Sequence, residues 1–423
     1  MTRRIAVNLG LMCVALLLIW SISLRSGRIE REDGLGYDGV GYAAMVVGSF
    51  EDGNPNQQLR PLVLAVDQLV YDRVFRDPGD QSEQLKTRDA IRTFQAMNYV
   101  WTALLALVLC AILDQYAVST VHKLIFVANV FATVAVAKMF VFYPVLLDVG
   151  AYFWVSLAVY AIVRGGRPLI VITLVLAVLA RELGLMVALA GIHRDVRRRV
   201  PLMTTALTYL PAIVGFMAFR QWILTTSDRS DVVLDWFDVL TNALNLFNPV
   251  FLGFFIYFTL TVFGGMSLVL ICGGLRGRLN AWREPEWLTL TGAVFGVTLF
   301  GSLDIWRYLA YALPGVAILY AQGPAQYDWR ISLPWATAVT AVTQQPWTTM
   351  TDERYFTDWF PLYRAMLNIP EPPAFEFWPL WGFRFAIVAG FAVAAWTIRW
   401  PSEVTARATG AREWLEAPSG MRE

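Results

Sequence analysis

The segment Arg-Ile-Glu-Arg-Glu-Asp-Gly-Leu-Gly-Tyr-Asp-Gly-Val-Gly-Tyr (residues 28–42) follows closely after the first apolar run of the chain. It mixes acids, glycines and tyrosines in a short space. Glycine permits backbone conformations that residues with a Cβ resist. The segment therefore predicts a tight, acid-lined loop at a membrane face. Its acids are Glu30, Glu32, Asp33 and Asp38, and its tyrosines are Tyr37 and Tyr42.

The composition is that of a membrane protein. Of 423 residues, 57% are hydrophobic and only 16% are charged, and the mean hydropathy is +0.50. A soluble chain is closer to half apolar and a quarter charged. Several apolar runs approach the roughly 20 residues needed to cross a bilayer. We therefore predict an all-α polytopic membrane protein. The net charge of +1 gives no field that would recruit nucleic acid.

Arginines predict the orientation of the first helices. Arg3 and Arg4 favour a cytoplasmic N-terminus by the positive-inside rule. Residues 5–24 then form an uncleaved first membrane helix. Residues 25–96 form an external catalytic loop with amphipathic helices, and residues 61–71 lie near the membrane interface. A helical bundle follows over residues 97–343, and its first span covers residues 97–113.

The apolar run 168–192 contains a charged pair, Arg181-Glu182, at its middle. A single span would place a costly pair at membrane depth and the arginine-rich segment 193–199 outside. Both problems disappear if the run consists of two half-helices that fold back at Arg181-Glu182. Such re-entrant backbone is tolerated where protein lines a cavity. The sequence therefore predicts a re-entrant half-helix pair with its tip toward the external face.

The remaining runs complete a single integral-membrane domain over residues 1–423, with about 10–12 membrane helices. Residues 344–379 are predicted as an aromatic-rich external loop, residues 380–400 as the last membrane helix and residues 401–423 as a cytoplasmic tail. In this orientation the unusual charges gather on the external side, where ionisable groups face a cavity and pair with one another. They are Glu32, Asp33, Asp38, Lys138, Asp148, Arg181, Glu182, Asp304, Arg307 and Asp352.

This mixture of charges suits a phosphorylated sugar. Carboxylates can take a proton from an alcohol or hold a divalent cation. Arginine binds two phosphate oxygens at once, and tyrosine rings suit the apolar faces of sugars. Each group also has a structural interpretation. Asp33 and Asp38 also fit solvated Asp-Gly turns, and Arg181 and Glu182 fit a structural ion pair at a helix break. Asp304 and Arg307 have the i, i+3 spacing of a pair on one helix. Lys138 fits a side chain that extends to the membrane interface.

Three pieces of the chain resemble one family. Tyr37-Asp-Gly-Val-Gly-Tyr42 is similar to a first-loop motif, Ala180-Arg-Glu-Leu-Gly184 to a mid-chain Arg-Glu element, and Asp304-Ile-Trp-Arg-Tyr308 to a late Asp-x-x-Arg-Tyr element. Their order resembles the C superfamily (GT-C) of bacterial membrane glycosyltransferases, which use polyprenyl-phosphate-linked sugars. The resemblance implies that an acid of the first loop serves as base or metal contact. Asp38 is the best positional match, and Asp33 and Glu32 come next.

We therefore predict an inverting glycosyltransferase of the bacterial inner membrane that works at the periplasmic face. The predicted catalytic residues are Asp38, Asp33 and Glu32, with substrate bound by Arg181, Glu182, Arg307, Asp304, Lys138, Asp148, Tyr37 and Tyr42. The partners are a polyprenyl-phosphate sugar donor, a glycan or lipid acceptor and membrane lipids. Asp33 and Asp38 do not form a tight Asp-x-Asp pair, which leaves a requirement for Mg²⁺ or Mn²⁺ open.

Three alternatives stay open at the level of the sequence. A multi-pass transporter or flippase of lipid-linked sugars would need charges through both halves of the bilayer and paired repeats. An O-antigen polymerase or ligase would by resemblance depend on external-loop arginines more than on a first-loop acid. A non-catalytic assembly protein would use the loop 344–379 as a docking surface.

Overall fold

Every regular element that the structure describes is a helix. The computed structural model describes residues 2–53, 55–76, 82–226, 249–267, 269–270, 284–301, 305–326 and 329–351, together with residues 382, 385–386, 389–390 and 393. The predicted external loop beyond residue 351, the C-terminal tail, Asp304 and Asp352 lie outside this range, as do the side chains of Tyr37 and Asp38. The helices are α1 (Thr2–Ser23), α2 (Gly36–Val47), α3 (Pro55–Gln58), α4 (Pro61–Val70), α5 (Glu83–Gln115), α6 (Thr120–Val130), α7 (Met139–Phe142), α8 (Asp148–Arg164), α9 (Arg167–Ala180), α10 (Gly184–Arg197), α11 (Leu202–Thr226), α12 (Pro249–Thr261), α13 (Glu286–Gly301), α14 (Ile305–Leu309), α15 (Leu313–Gln322) and α16 (Trp329–Gln344).

Three of these helices are long and apolar enough to cross a membrane. They cover Arg3–Ser23, Gln84–Gln115 and Leu202–Thr225. A fourth span results if Thr120–Val130 and Val134–Phe142, which are bent by 66°, are taken as one. The prediction of an all-helical chain with membrane-spanning helices is confirmed at this level.

The second long helix begins earlier than the hydropathy predicts. α5 starts at Glu83 and runs for 33 residues, so the helix begins 14 residues before residue 97, where the first span of the bundle is predicted to start. At 1.5 Å per residue this helix is ~50 Å long. Its first turns are polar outside but bury Ala90 and Phe94. Hydropathy recognises only the apolar part of such a helix, because the polar part is built from residues that favour helix without favouring lipid.

The run 168–192 is two helices, as predicted. α9 ends at Ala180 and α10 begins at Gly184. Their far ends meet, because Arg167 at the start of α9 forms an ion pair and hydrogen bond with Asp195 near the end of α10. A Cβ added at Gly184 would lie 2.7 Å from the backbone carbon of Ala177. The two helices therefore fold back on each other, with Arg181 and Glu182 at the tip.

The chain breaks after α6 and after α12, and side chains on one face of α16 form hydrogen bonds with backbone groups at both breaks. Between α6 and α7 the chain bends and then forms a π-helical turn over Val134–Lys138. The amide of Val134 donates to Gln344 Oε1 at 3.0 Å, and Gln344 Nε2 donates to the carbonyl of Thr261, the last residue of α12, at 2.6 Å. One turn earlier, Thr340 Oγ1 accepts from the amide of Gly265 at 2.8 Å. Unpaired backbone groups are expensive in an apolar interior, so these polar side chains make the breaks tolerable.

The glycine-rich segment is a helix rather than a loop, which corrects the first prediction. A left-handed stretch at Glu32 and Asp33, with φ of 52° and 54°, precedes α2. The amide of Gly39 donates to the hydroxyl of Tyr143 at 3.1 Å. A Cβ on Gly36, whose φ is +65°, would lie 2.5 Å from the ring of Tyr143. Gly36 is therefore required both by its left-handed backbone and by the close packing of α2 on Tyr143, and Gly39 by that packing alone.

Candidate functional site

The candidate site is centred on Asp148, the first residue of α8. Arg307 donates to Asp148 Oδ2 through Nη2 at 2.7 Å and through Nε at 3.1 Å. Tyr311 donates its hydroxyl to the other oxygen, Oδ1, at 3.0 Å. Arg181 Nη1 lies 3.6 Å from the same Oδ1. Three separate segments of the chain therefore meet at one buried carboxylate.

Each of these side chains is positioned by an irregular point in the fold. Asp148 begins α8 directly after the turn at Pro144, whose carbonyl accepts a hydrogen bond from Asn98 Nδ2 at 2.6 Å. Arg181 occupies the break between α9 and α10. Tyr311 sits in the 3-10 turn that joins α14 to α15. Helix ends bring polar groups together without breaking a continuous apolar face.

Arg181 is the most enclosed cation of the cluster, with 2% of its side chain exposed. Its Nε lies 3.3 Å from Glu182 Oε1. Its guanidinium lies over the ring of Tyr308, 4.9 Å from the centroid, and 5.7 Å from the centroid of Tyr311. An aromatic face attracts a cation through its quadrupole, so both tyrosines help to hold a positive charge away from water.

Arg60 belongs to the same site and was not predicted from the sequence. Its Nη1 donates a hydrogen bond to the hydroxyl of Tyr42. Its Nε is shielded from solvent and has no hydrogen-bond partner in the structure. The charge of Arg60 acts on Asp148, Arg181 and Glu182. Arg60 directly precedes Pro61, the first residue of α4, and a single arginine before an amphipathic helix carries no pattern that would single it out.

The described charges of the site do not balance. Arg60, Arg181 and Arg307 face two carboxylates, Asp148 and Glu182, which leaves one positive charge in excess. A buried ion without a counter-ion is unfavourable. Arg60 and Glu182 are half-buried, whereas the other three are buried, so the more open side of the cluster carries Arg60, whose Nε has no hydrogen-bond partner in the described structure. Such a site is suited to an anion with several oxygens.

Lys138, which was predicted as a substrate-binding residue, forms hydrogen bonds with the segment that follows α16. It is 2% exposed, and its ammonium donates to the carbonyl of Gln345 at 2.9 Å and to Thr348 Oγ1 at 2.8 Å. It therefore anchors the segment that follows α16. The structural interpretation of Lys138 as a side chain reaching the interface was also wrong, since its hydrogen bonds are to the protein.

Among the predicted catalytic acids, the structure describes the side chains of Glu32 and Asp33 but not that of Asp38. Glu32 and Asp33 are exposed, with left-handed backbone. Asp38 and Tyr37 are placed only as backbone in α2, where position 38 is one turn before Tyr42, the partner of Arg60. Arg307 pairs with Asp148, a partner 159 residues away in the chain.

A second acid is buried near the site without a charged partner. Asp67 lies in α4, is 2% exposed, and has no hydrogen-bond partner at Oδ1. Burial raises the pKa of the Asp67 carboxyl well above its usual range, an effect that the neighbouring Trp101 opposes only in part. The charged form of Asp67 is therefore disfavoured in the folded protein.

The charged site lies at one end of the helical bundle, and a second polar cluster lies at the other end. There, Lys123 Nζ donates to Asp114 at 2.8 Å and to Asn8 at 3.0 Å, and Asn8 Nδ2 donates to Asp114 at 2.6 Å. From Asp148 to the opposite end of α8 at Arg164 is ~24 Å by helical rise. This length approaches the roughly 30 Å of a bilayer core.

Within the described residues, no group of three or more His, Cys, Asp or Glu side chains could hold a metal ion. Asp148 and Glu182 are engaged by arginines, which compete with a cation for their oxygens. With this geometry established, comparisons with protein families, with curated proteins and with solved structures find no match for the chain.

Proposed function

We propose that this protein is a glycosyltransferase of the bacterial inner membrane, which transfers a sugar from a polyprenyl-phosphate donor to an acceptor hydroxyl at the periplasmic face, with inversion. The observation that carries the proposal is the excess of guanidiniums over carboxylates among the described residues around Asp148. A phosphate of the donor would supply a further negative charge and would accept a hydrogen bond from Arg60 Nε, which has no partner in the described structure.

The proposed fold is GT-C-like, with about 10–12 membrane helices and both termini cytoplasmic. In it, α9 and α10 are a re-entrant pair that enters the membrane from the cytoplasmic side and presents Arg181 and Glu182 near the external face. The amphipathic helix α4 and the helix α2 lie over this tip and bring Arg60 and Tyr42 to it. A lipid-linked substrate would enter sideways, with its carrier in the bilayer and its phosphate at the arginines.

Asp148 is a positioning residue in this mechanism. Its carboxylate accepts hydrogen bonds from Arg307 and Tyr311 and lies within ion-pair distance of Arg181. It thereby fixes two guanidiniums before the substrate arrives. Fixed cations stabilise charge as it develops without reorganisation. The arginines therefore stabilise the phosphate as the bond from the anomeric carbon to the phosphate oxygen breaks.

The acceptor oxygen attacks the anomeric carbon from the face opposite the phosphate, and its proton passes to a carboxylate. Asp38 is the proposed base, with Asp33 and Glu32 as the next candidates. The backbone of α2 places position 38 one turn from Tyr42, which contacts Arg60. The sugar is transferred to the acceptor with inverted configuration, and the carrier lipid leaves with its phosphate. No covalent intermediate on the enzyme is needed.

The test of the base is transfer by purified protein in nanodiscs, with polyprenyl-phosphate-linked sugars, candidate acceptors, and parallel reactions with EDTA. Asp38→Asn is expected to lower kcat by about 10² or more, the usual contribution of a general base, while binding of the donor is retained. Near-normal turnover of Asp38→Asn would remove this residue from the mechanism and move the test to Asp33→Asn. Loss of transfer in EDTA would establish that a metal takes part.

The test of the anion site does not need turnover. Arg60→Gln is expected to weaken binding of polyprenyl phosphate by about tenfold to a hundredfold, since hydrogen bonds to charged groups contribute that much. Arg73→Gln, an exposed arginine of the same external segment, is the matched control. Equal affinity of the two variants would rule out Arg60 as a ligand. Absence of transfer with every donor, together with movement of the lipid-linked sugar across vesicles, would favour the transporter.

A further inference from the structure

The end of the molecule opposite the candidate site carries arginines that form no ion pair with any acid among the described residues. Six arginines lie on the helix ends and turns of segments 164–167 and 194–199, and the acids that approach them are Asp195, Glu284 and Glu286. Arg167 forms an ion pair with Asp195. Arg197 forms one with Glu286, to which its Nη2 donates a hydrogen bond at 3.0 Å.

Glu284 lies within electrostatic range of the buried Arg194 and forms no ion pair with the exposed arginines of the described residues. One of its oxygens, Oε2, accepts hydrogen bonds from Tyr116 at 2.6 Å, Gln322 at 2.8 Å and Trp287 at 3.0 Å. Arg164, Arg198 and Arg199 remain. All three are exposed, and no ion pair forms between them and an acid of the described residues. These three residues are named the basic patch.

The fold holds the basic patch together. Arg194 Nη2 donates to the carbonyl of Val163 at 3.5 Å, so the end of α10 lies against the end of α8, which carries Arg164. Arg198 and Arg199 occupy the turn after α10. There the amide of Val200 donates to the carbonyl of Asp195 at 2.9 Å, and Arg199 adopts a left-handed φ of 56°.

Exposed apolar side chains continue directly from the basic patch. Val196 is 64% exposed, Leu202 82% and Met203 69%. Leu202 begins α11, one of the helices long and apolar enough to cross a membrane. A band of unpaired arginines at the end of a lipid-facing helix is complementary to an anionic headgroup above its own acyl chains. A soluble anion would use the arginines but not the apolar side chains.

We infer that the basic patch and the adjoining start of α11 bind an anionic phospholipid of the surrounding leaflet. The headgroup phosphate contacts Arg164, Arg198 and Arg199, and the acyl chains lie along Leu202 and Met203. This inference does not depend on the proposed enzymatic activity, because it concerns the opposite end of the bundle.

The test is native mass spectrometry of the full-length protein, delipidated in detergent and titrated with phosphatidylglycerol or phosphatidylcholine. The wild type is expected to bind phosphatidylglycerol in preference to phosphatidylcholine. The triple variant Arg164→Gln, Arg198→Gln, Arg199→Gln is expected to lose at least about tenfold in affinity for phosphatidylglycerol, since each cation near an anionic surface contributes to binding. A triple Lys variant keeps the charge and is expected to keep the preference.

Arg73→Gln, which removes an exposed arginine from the other end, is expected to bind phosphatidylglycerol like the wild type. Added salt is expected to weaken binding, whereas inorganic phosphate at the same ionic strength is expected to have no extra effect. Unchanged binding by the triple Gln variant would overturn the inference. Displacement of the lipid by inorganic phosphate beyond that salt effect would also overturn it, because it would show a site for a free anion.

Discussion

At the scale of single residues, the molecule depends on one carboxylate. Asp148 is buried and is shared by Arg307, Arg181 and Tyr311. A buried ion pair contributes little net stability relative to an apolar pair, but removal of one partner leaves an uncompensated charge. The main effect of Asp148 on stability is therefore that it prevents buried guanidiniums from lacking a counter-ion, rather than the net energy of its own hydrogen bonds.

Asp148→Asn is expected to destabilise the protein by about 3–5 kcal/mol, because two buried guanidiniums lose their counter-ion. The measurement is thermal or denaturant unfolding in detergent. Asp72→Asn is the control, since Asp72 forms an exposed i, i+4 pair with Arg76, and such pairs contribute about 0–1 kcal/mol. Equal losses in the two variants would contradict the assignment of Asp148 to a charged core.

Asp67 gives a pH dependence with a definite sign. Its pKa is raised in the folded state because the charged form is buried, so the unfolded chain loses its proton first. Stability is highest below about pH 4, the ordinary pKa of aspartate, and this contribution falls as pH rises toward the folded pKa. Asp67→Asn removes the dependence.

We therefore expect Asp67→Asn to melt at a higher temperature than the wild type at pH 8, with the difference shrinking toward pH 4.5. Melting curves of both proteins across this range provide the measurement. A difference that does not change with pH would show that the amide alters packing alone.

At the scale of elements, the hairpin of α9 and α10 is the device that brings Arg181 to the site. Its closest contact is Gly184, where an added Cβ would meet the backbone of Ala177 and Val178 at 2.7–2.8 Å. Backbone atoms cannot yield as the end of a flexible side chain can. A substitution at Gly184 must therefore move one helix against the other.

Gly184→Ala is expected to destabilise the fold by about 1–3 kcal/mol, the usual cost of overpacking, and to weaken anion binding because Arg181 moves with the tip. Gly296→Ala in α13 is the matched control. A Cβ there has nothing within 4 Å, so that change is expected to be neutral or to stabilise by up to about 1 kcal/mol. A stable Gly184→Ala protein with normal anion binding would show that the hairpin has room to adjust.

At the scale of the whole molecule, charge placement predicted the organisation better than hydropathy did. The break at Arg181-Glu182 follows from the cost of a buried pair and the arginines of 193–199. Hydropathy alone placed the start of α5 too late. The bend of 66° after Val130 was not predictable, because Gln344, the residue that satisfies the freed amide of Val134, is 210 positions away.

The candidate site was predictable to the extent that its charges interrupt apolar sequence. Asp148, Arg181, Glu182 and Arg307 were selected for that reason, and the structure brings them together. Lys138 met the same criterion but forms hydrogen bonds with the segment that follows α16. Arg60 was not predicted because it lies in a polar segment, where composition does not distinguish one charged residue from the others. Long-range pairing cannot be obtained from spacing within one segment.

The face of α16 that carries Thr340 and Gln344 has a consequence for how such chains enter a membrane. Residues 331–342 form a short, weakly apolar run when each residue is scored for its own transfer from water to lipid. Yet the polar atoms of this face complete the backbones of Val134, Thr261 and Gly265. The side chains of α16 thus supply hydrogen bonds that water would supply to the exposed backbone of a loop in a soluble protein. These hydrogen bonds offset the poor partition of α16 into lipid only when the interrupted helices already lie beside it. We therefore expect α16 to insert after those helices and together with them.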